Sequence, residues 1–328
     1  MSLQRFVVAL VVLVLLAVPA LGQPRPHWPR SVTIGSATIG GVYHVMAGGY
    51  ARVIGERMGV PATNRVTGGP VHNLHLTATR EIDVGLTTTG PLFEALQGTG
   101  EFRGRRLDTL RVAFPMYTSF AHWMVDAASP VRTTADIGGR VVVLGPRGSS
   151  AEFVGTRLLE LFRITPRRVV HMGFADGAAA MRDGLVDVNF GVIGVPVPAW
   201  VEYAITRPTR FFGFTRTEIE TLTEQFPYLA RAAIRAGVYR GQDHVIPTVQ
   251  MFNAAVVHRD APEDFVYELV RTIFANRDFL ETVHPAAAET LPVNIFYVRA
   301  PLHPGAVRFF REQGIRLVDV HIPPEMKR

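Results

Sequence analysis

Two short loops hold the residues best placed to do chemistry, Gly35-Ser36-Ala37-Thr38-Ile39-Gly40-Gly41 and Gly145-Pro146-Arg147-Gly148-Ser149-Ser150. Each follows a short β-type run and opens a stretch with helical apolar spacing. A helix start presents backbone N–H groups without intrahelical acceptors and a partial positive charge, so it favours a carboxylate or phosphate. Thr38, Gly40 and Gly41 from the first loop and Gly148, Ser149 and Ser150 from the second are therefore candidate ligand contacts. Arg147 could clamp a carboxylate through two parallel hydrogen bonds, or could be a solvated surface arginine. Neither loop has the G-x-G-x-x-G spacing, and no G-x-x-x-x-G-K-[ST] occurs, so nucleotide chemistry has no support.

A third loop, Thr67-Gly68-Gly69-Pro70-Val71-His72-Asn73, leads into another apolar segment. Gly69 and Asn73 join the candidates, since a carboxamide offers both donor and acceptor. Thr87-Thr88-Thr89-Gly90 ends a β run, where Thr88 could turn its hydroxyl toward a cleft or simply serve as a strand residue. Tyr43, Tyr117, Phe174 and Phe190 are candidates for covering a ligand's carbon chain, with Tyr43 and Phe174 preferred. His72 and His75 would share a helix face, but no further ligand stands at metal spacing. G-x-S-x-G and S-x-x-K are absent, and no carboxylate pair stands out. Asp83 and Asp187 read as turn residues before strands. No catalytic residue, metal or cofactor is expected.

The elements that must position these loops alternate. Runs at Val32 to Ile34, Val84 to Thr87, Arg111 to Phe114, Arg140 to Leu144, Val169 to Met172 and Val186 to Phe190 predict short strands. Val42, Val45, Met46, Gly49 and Val53 recur at helical spacing, as do Val154, Leu158, Leu161 and Phe162. Strand, loop and helix in repetition predict α/β layers with parallel pairing, and the strand count suits two small sheets. Asp260 as N-cap with Glu263 three residues on predicts a helix carrying Phe265, Leu269 and Ile273 on one face. A last helix is expected from Pro304 to Arg316.

Composition narrows the class. Arg5 precedes an apolar run from Phe6 to Val18, followed by Pro19 and Ala20-Leu21-Gly22, the pattern of a cleavable signal peptide over residues 1–22. Residues 23–30 hold three prolines and predict an extended lead-in. There is no cysteine, hence no disulfide framework, no thiol nucleophile and no lipoprotein acylation site. A free exported protein of this size is useful where an outer membrane retains it, so the expected location is the periplasm. The formal charge is +6, with Lys327 the sole lysine. The arginines are scattered without aromatic interleaving, which argues against nucleic acid and for solubility plus attraction of anions.

With these residues in view, the chain resembles the TAXI-type solute receptors of tripartite ATP-independent periplasmic (TRAP) transporters. Gly40-Gly41-Val42-Tyr43 is similar to that family's Gly-Gly-x-Tyr signature, and Gly68-Gly69-Pro70-Val71-His72-Asn73-Leu74 to its Gly-Gly-Ser-x-Glu-Asn-Leu stretch. Ala135-Asp136-Ile137-Gly138-Gly139-Arg140-Val141 with Gly145-Pro146-Arg147-Gly148-Ser149, then Ala236-Gly237-Val238-Tyr239 and Pro301-Leu302-His303-Pro304-Gly305-Ala306, extend the resemblance over nearly the whole mature length. It implies an α/β, type II periplasmic-binding-protein fold of two lobes, a ligand cleft between them, a TRAP membrane permease as partner, and small organic acids, glutamate-like or dicarboxylate, as ligands. Pro70, His72, Ile39, His44-Val45 and Ser150 depart from the family pattern in or beside the pocket, so a glutamate ligand is not carried over.

The expectation is a monomeric receptor that captures a small organic acid by lobe closure. Residues 31–117 and 250–328 would form lobe one and residues 118–249 lobe two. Two other readings use the same cleft, a sensory receptor feeding a signalling partner and a periplasmic enzyme.

Overall fold

The computed structural model describes residues 27–327. The expected signal peptide, and residues 23–26 of the lead-in, lie outside the described residues. The end of the lead-in docks, because Trp28 packs edge-on against Phe265 and donates its indole N–H to Asp264 at 2.8 Å.

The chain then runs β1 (Val32–Gly35), α1 (Val42–Met58), β2 (Ala62–Arg65), α2 (Pro70–Ala78), β3 (Val84–Thr88), α3 (Thr89–Gln97) and a long β4 (Leu110–Asp126). Next come β5 (Val141–Val143), α4 (Ser150–Leu161), β6 (Arg168–Val170), α5 (Phe174–Arg182), β7 (Val188–Ile193), α6 (Pro198–Thr206), β8 (Thr209–Phe212), α7 (Arg216–Gln225) and β9 (Ala230–Ile234). A second long strand, β10 (Ile246–His258), is followed by α8 (Glu263–Ala275), α9 (Arg277–Val283), 3₁₀ turns at Pro285–Glu289 and Pro292–Tyr297, and α10 (Pro304–Glu312).

The strand pairing makes two α/β lobes out of one sheet. β1 pairs in parallel with β2 and β3, and β5 in parallel with β6 and β7, as the alternating pattern predicted. The antiparallel pair β4 and β10 runs through both halves. The end of β10 pairs with β3 from Asn253 to Val256, whereas its start pairs with β9 from Ile246 to Gln250. β4 carries β7 and β8 only from Phe120 onward. The expected two small sheets are thus joined into a single ten-stranded sheet. Arg111 to Phe114 is merely the start of a seventeen-residue strand, because a strand that serves two lobes must be about twice the usual length.

Equivalent aspartates brace the two parallel halves. Asp83 accepts the Thr33 N–H and Asp187 accepts the Val141 N–H, both at 2.7 Å, tying the turn before one strand to the start of its neighbour. One apolar cluster gathers around Trp123, Phe190 and Leu158 in lobe two. The other runs from Met46 and Phe114 in lobe one across to Trp200 and Phe211 in lobe two, so the lobes are pressed together.

Two helix boundaries differ from expectation. Pro262, not Asp260, takes the N-cap position of α8, and the Asp260 carboxylate pairs with Arg80 instead. The last helix stops at Glu312, short of Arg316, since Gly314 turns the chain with φ +72°.

Two histidines are folded in as neutral imidazoles. His122, fully buried, lies against the Phe120 carbonyl at 3.0 Å and the Tyr239 hydroxyl at 2.8 Å, and burial pushes its pKa down to about 4. Burial also lowers His303 to about 4. In the unfolded chain these groups take a proton below about pH 6.5, but in the folded chain only near pH 4. Stability is therefore complete above pH 6.5 and falls as pH drops toward 4, by on the order of 3 kcal/mol per histidine. Urea midpoints measured from pH 7 to pH 4.5 should fall steadily; a flat profile would mean solvent reaches both rings.

Candidate functional site

Five helix starts converge where the lobes meet. The cavity there is lined by Gly41, Val42 and Tyr43 at the start of α1, Pro70 of α2 and Thr88 at the cap of α3. Lobe two contributes Ser149, Ser150 and Ala151 of α4 and Phe174 of α5, with Val192 and Ile193 of β7. Ala37 and Ser119 complete the lining. First-turn amides have no acceptor within their own helix, so these starts bring partial positive charge, and all but the one at Pro70 bring donors, to the same small volume.

Polar side chains here are mostly spent on fixing the walls. Ser149 caps α4 by accepting the Glu152 N–H at 3.1 Å. The Thr88 and Ser150 hydroxyls meet across the lobes at 2.9 Å. The Tyr43 hydroxyl donates to Asn253 Oδ1 at 2.5 Å, and Asn253 Nδ2 donates to Ser119 Oγ at 2.9 Å. Burial holds the Tyr43 phenol well above its ordinary pKa, so it remains a donor. The Thr38 hydroxyl is buried at the lobe interface against Gly173, without a hydrogen-bond partner among the described residues. Among the described residues no charged side chain lines the cavity.

The lobes are closed by backbone contacts. Val71 N–H donates to Gly148 O at 3.0 Å, and Ala199 N–H to Gly40 O at 3.2 Å. A Cβ on Gly68 would lie 2.3 Å from Arg147 O, so only glycine permits that approach. The cavity left is about 30 Å³, room for little more than two or three water-sized bodies.

Of the twelve residues singled out in the sequence, Gly41, Tyr43, Thr88, Ser149, Ser150 and Phe174 line the cavity. Gly40, Gly69 and Gly148 do not, but form the closing contacts beside it. Asn73 and Arg147 are corrections. Asn73 is fully buried inside lobe one, with its carboxamide consumed by Gly35 O, Ser36 O, Leu86 O and the Thr67 hydroxyl. Arg147 points to solvent with 79% of its side chain exposed and pairs with Glu152 at 3.3 Å. Glu152, which also accepts the Gly148 N–H, holds the guanidinium on the outer side of the loop. Tyr117 and Phe190 lie in the core. His72 accepts the Gly68 N–H and His75 stacks on Phe102. Ser119 and Asn253 were missed; a buried asparagine in the apolar run Met251 to Val257 is the signal that could have found the second, since strands disfavour it.

Arg147→Ala is accordingly expected to leave ligand affinity within about 0.5 kcal/mol of the parent, measured by titration calorimetry. A loss of more than tenfold would return the guanidinium to the site.

Residues 34–314 match the profile of the NMT1-like family. The chain belongs to that family. Among solved structures, this NMT1-like chain is similar to the periplasmic binding protein BugD, at 13% identity over 88% of this chain and 95% of that one, with a TM-score of 0.57. It is also similar to MatC from Rhodopseudomonas palustris with bound malate, at 14% identity over 87% and 96%, with a TM-score of 0.56. The two-lobed α/β fold is that of periplasmic binding proteins. No helix among the described residues is long and apolar enough to cross a membrane.

Proposed function

We propose that this NMT1-like protein is a solute receptor that closes over a small organic acid and delivers it to a membrane transporter. The observation that carries this reading is the convergence of five helix starts on a cavity lined, among the described residues, by no charged side chain. Such a site balances an anion by oriented N–H groups and helix ends alone. Malate in MatC, a protein of the same fold, supports an acid of dicarboxylate or related type. The motif resemblance to TAXI-type receptors supports a TRAP permease as the partner and export by cleavage after residue 22. Ligand contacts come from Gly41, Tyr43, Thr88, Ser149, Ser150 and Phe174, with Ser119 behind them and Thr38 freed as the lobes move. Residues 31–117 with 250–328, and 118–249, act as the two rigid bodies, and β4 and β10 act as the hinge.

Thermal unfolding of residues 23–328 against amino acids, dicarboxylates, keto acids and neutral sugars tests the reading. A ligand at a hundred times its dissociation constant adds roughly 2.7 kcal/mol to the folded state. Stabilisation by one class of acid is expected; stabilisation by a neutral sugar alone would overturn the anion site. Loss of uptake of that acid when the permease is deleted would establish the transport partner.

A further inference from the structure

We propose a second binding site on the rear face of the crossing strands, for a zwitterionic amino acid with an apolar or aromatic side chain held between Glu289 and Arg235. Successive residues of a strand face opposite sides. Ser119 of β4 faces the front cavity, bonded to Asn253 of β10, whereas Thr118, Phe120, Gln250 and Phe252 face a separate rear cavity. That cavity is about 680 Å³, within the range of small-molecule sites and far larger than the front one.

Its two walls carry opposite, unpaired charges. On the lobe-one wall, Glu289 is held by the Thr118 N–H at 2.8 Å and the Thr118 hydroxyl at 2.6 Å, both on Oε2. Its Oε1 takes no protein hydrogen bond among the described residues, so the bound carboxylate is oriented with one oxygen to offer. On the lobe-two wall, Arg235 directly follows β9, and its guanidinium forms no ion pair among the described residues. Tyr297, 61% exposed, lines the same cavity and stacks on Phe252 with ring centroids 5.1 Å apart, giving it an aromatic surface. An ammonium toward Glu289, a carboxylate toward Arg235 and an apolar side chain over Tyr297 satisfy all three features at once. Because the walls belong to different lobes, this ligand bridges them behind the hinge.

Titration calorimetry of the full mature chain with L-phenylalanine, phenethylamine and 3-phenylpropanoate tests the site. Phenylalanine should bind one to one, at least tenfold more tightly than either half-molecule. Glu289→Gln, which keeps an acceptor for Thr118, and the surface change Arg235→Ala should each weaken it tenfold or more. Ser150→Ala, which removes a front-cavity hydroxyl without adding bulk between the lobes, should leave it unchanged. No saturable binding of phenylalanine would overturn the proposal. So would phenethylamine binding as tightly as phenylalanine, or binding weakened tenfold by Ser150→Ala and untouched by the two rear variants. The site stands independently of the front-cleft reading, whose acid panel reports on Ser150 and not on Arg235.

Discussion

Asn73→Ala is expected to destabilise the protein by about 3 to 5 kcal/mol, a loss on the order of 10 °C in Tm. The carboxamide ties together the end of β1, the middle of β3 and the Thr67 loop. Its Nδ2 donates to Gly35 O at 3.0 Å, Ser36 O at 2.7 Å and Leu86 O at 2.8 Å, and its Oδ1 accepts from Thr67 at 2.7 Å. Truncation leaves buried carbonyls at the end of β1 and in the middle of β3 without this donor and opens a void. Asn73→Asp is expected to be worse than alanine, because a carboxylate would then face three carbonyl oxygens. That ordering separates a structural bracket from a ligand contact. Were Asn73 a ligand contact, Asp would alter affinity while the unliganded protein kept its melting temperature. Thermal unfolding of the two variants without added ligand decides the matter, and a Tm within 2 °C of the parent in either would refute the bracket.

Asn73 and Arg147 also show where sequence reading stops. Both stand in loops that enter helices, and the loops themselves were legible, because glycine clusters between a β run and a helical apolar pattern leave few alternatives. What a loop does not reveal is which way each side chain turns. Arg147 precedes Glu152 by five residues, and the first turn of α4 brings that carboxylate back to the loop, so the guanidinium is neutralised outside the cleft. Asn73 sits three residues inside α2, on the face that packs against β3, so it points into lobe one. The direction of Ser149 was readable because a side chain that caps its helix turns toward the first-turn amides.

The crossing strands were less legible for a different reason. Asn253 and Ser119 meet across 134 residues of chain, at a register shift between Phe252 and Ala254. A bulge changes which residues face which side, and period-two alternation read along either strand alone misses it. The same shift places Asn253 beneath Tyr43 while Phe252 faces the rear cavity. The joining of two small sheets into one follows from this pair of strands, whose lengths are visible in sequence only as apolar runs.

Closure of the cleft rests on few polar contacts, and the strongest of them gives the second large expectation. Arg157 of α4 reaches across the lobes to Glu94 of α3, with Nη2 at 2.9 and 3.0 Å from the two carboxylate oxygens. The guanidinium also covers the Phe153 ring at 3.8 Å and donates to Phe153 O at 2.7 Å. Both side chains are largely buried, with 18% and 10% exposed. When the lobes part, each ion regains water; when they close on Arg157→Ala, Glu94 is buried without a counter-charge, keeping only the Glu101 N–H at 3.3 Å. Breaking a buried pair from one side costs about 3 to 5 kcal/mol, and this penalty falls on the closed state. The variant should therefore fold normally yet bind the captured acid 30-fold or more weakly, on the order of 2 kcal/mol or beyond. Small-angle scattering without ligand should show a larger radius of gyration. Removing both ions, as Glu94→Leu with Arg157→Met, should recover most of the affinity, because two apolar groups leave no charge behind. If Arg157→Ala binds within threefold of the parent and scatters identically, the pair is as well satisfied with the lobes apart, and closure is governed by the backbone contacts at Gly40 and Gly148 instead.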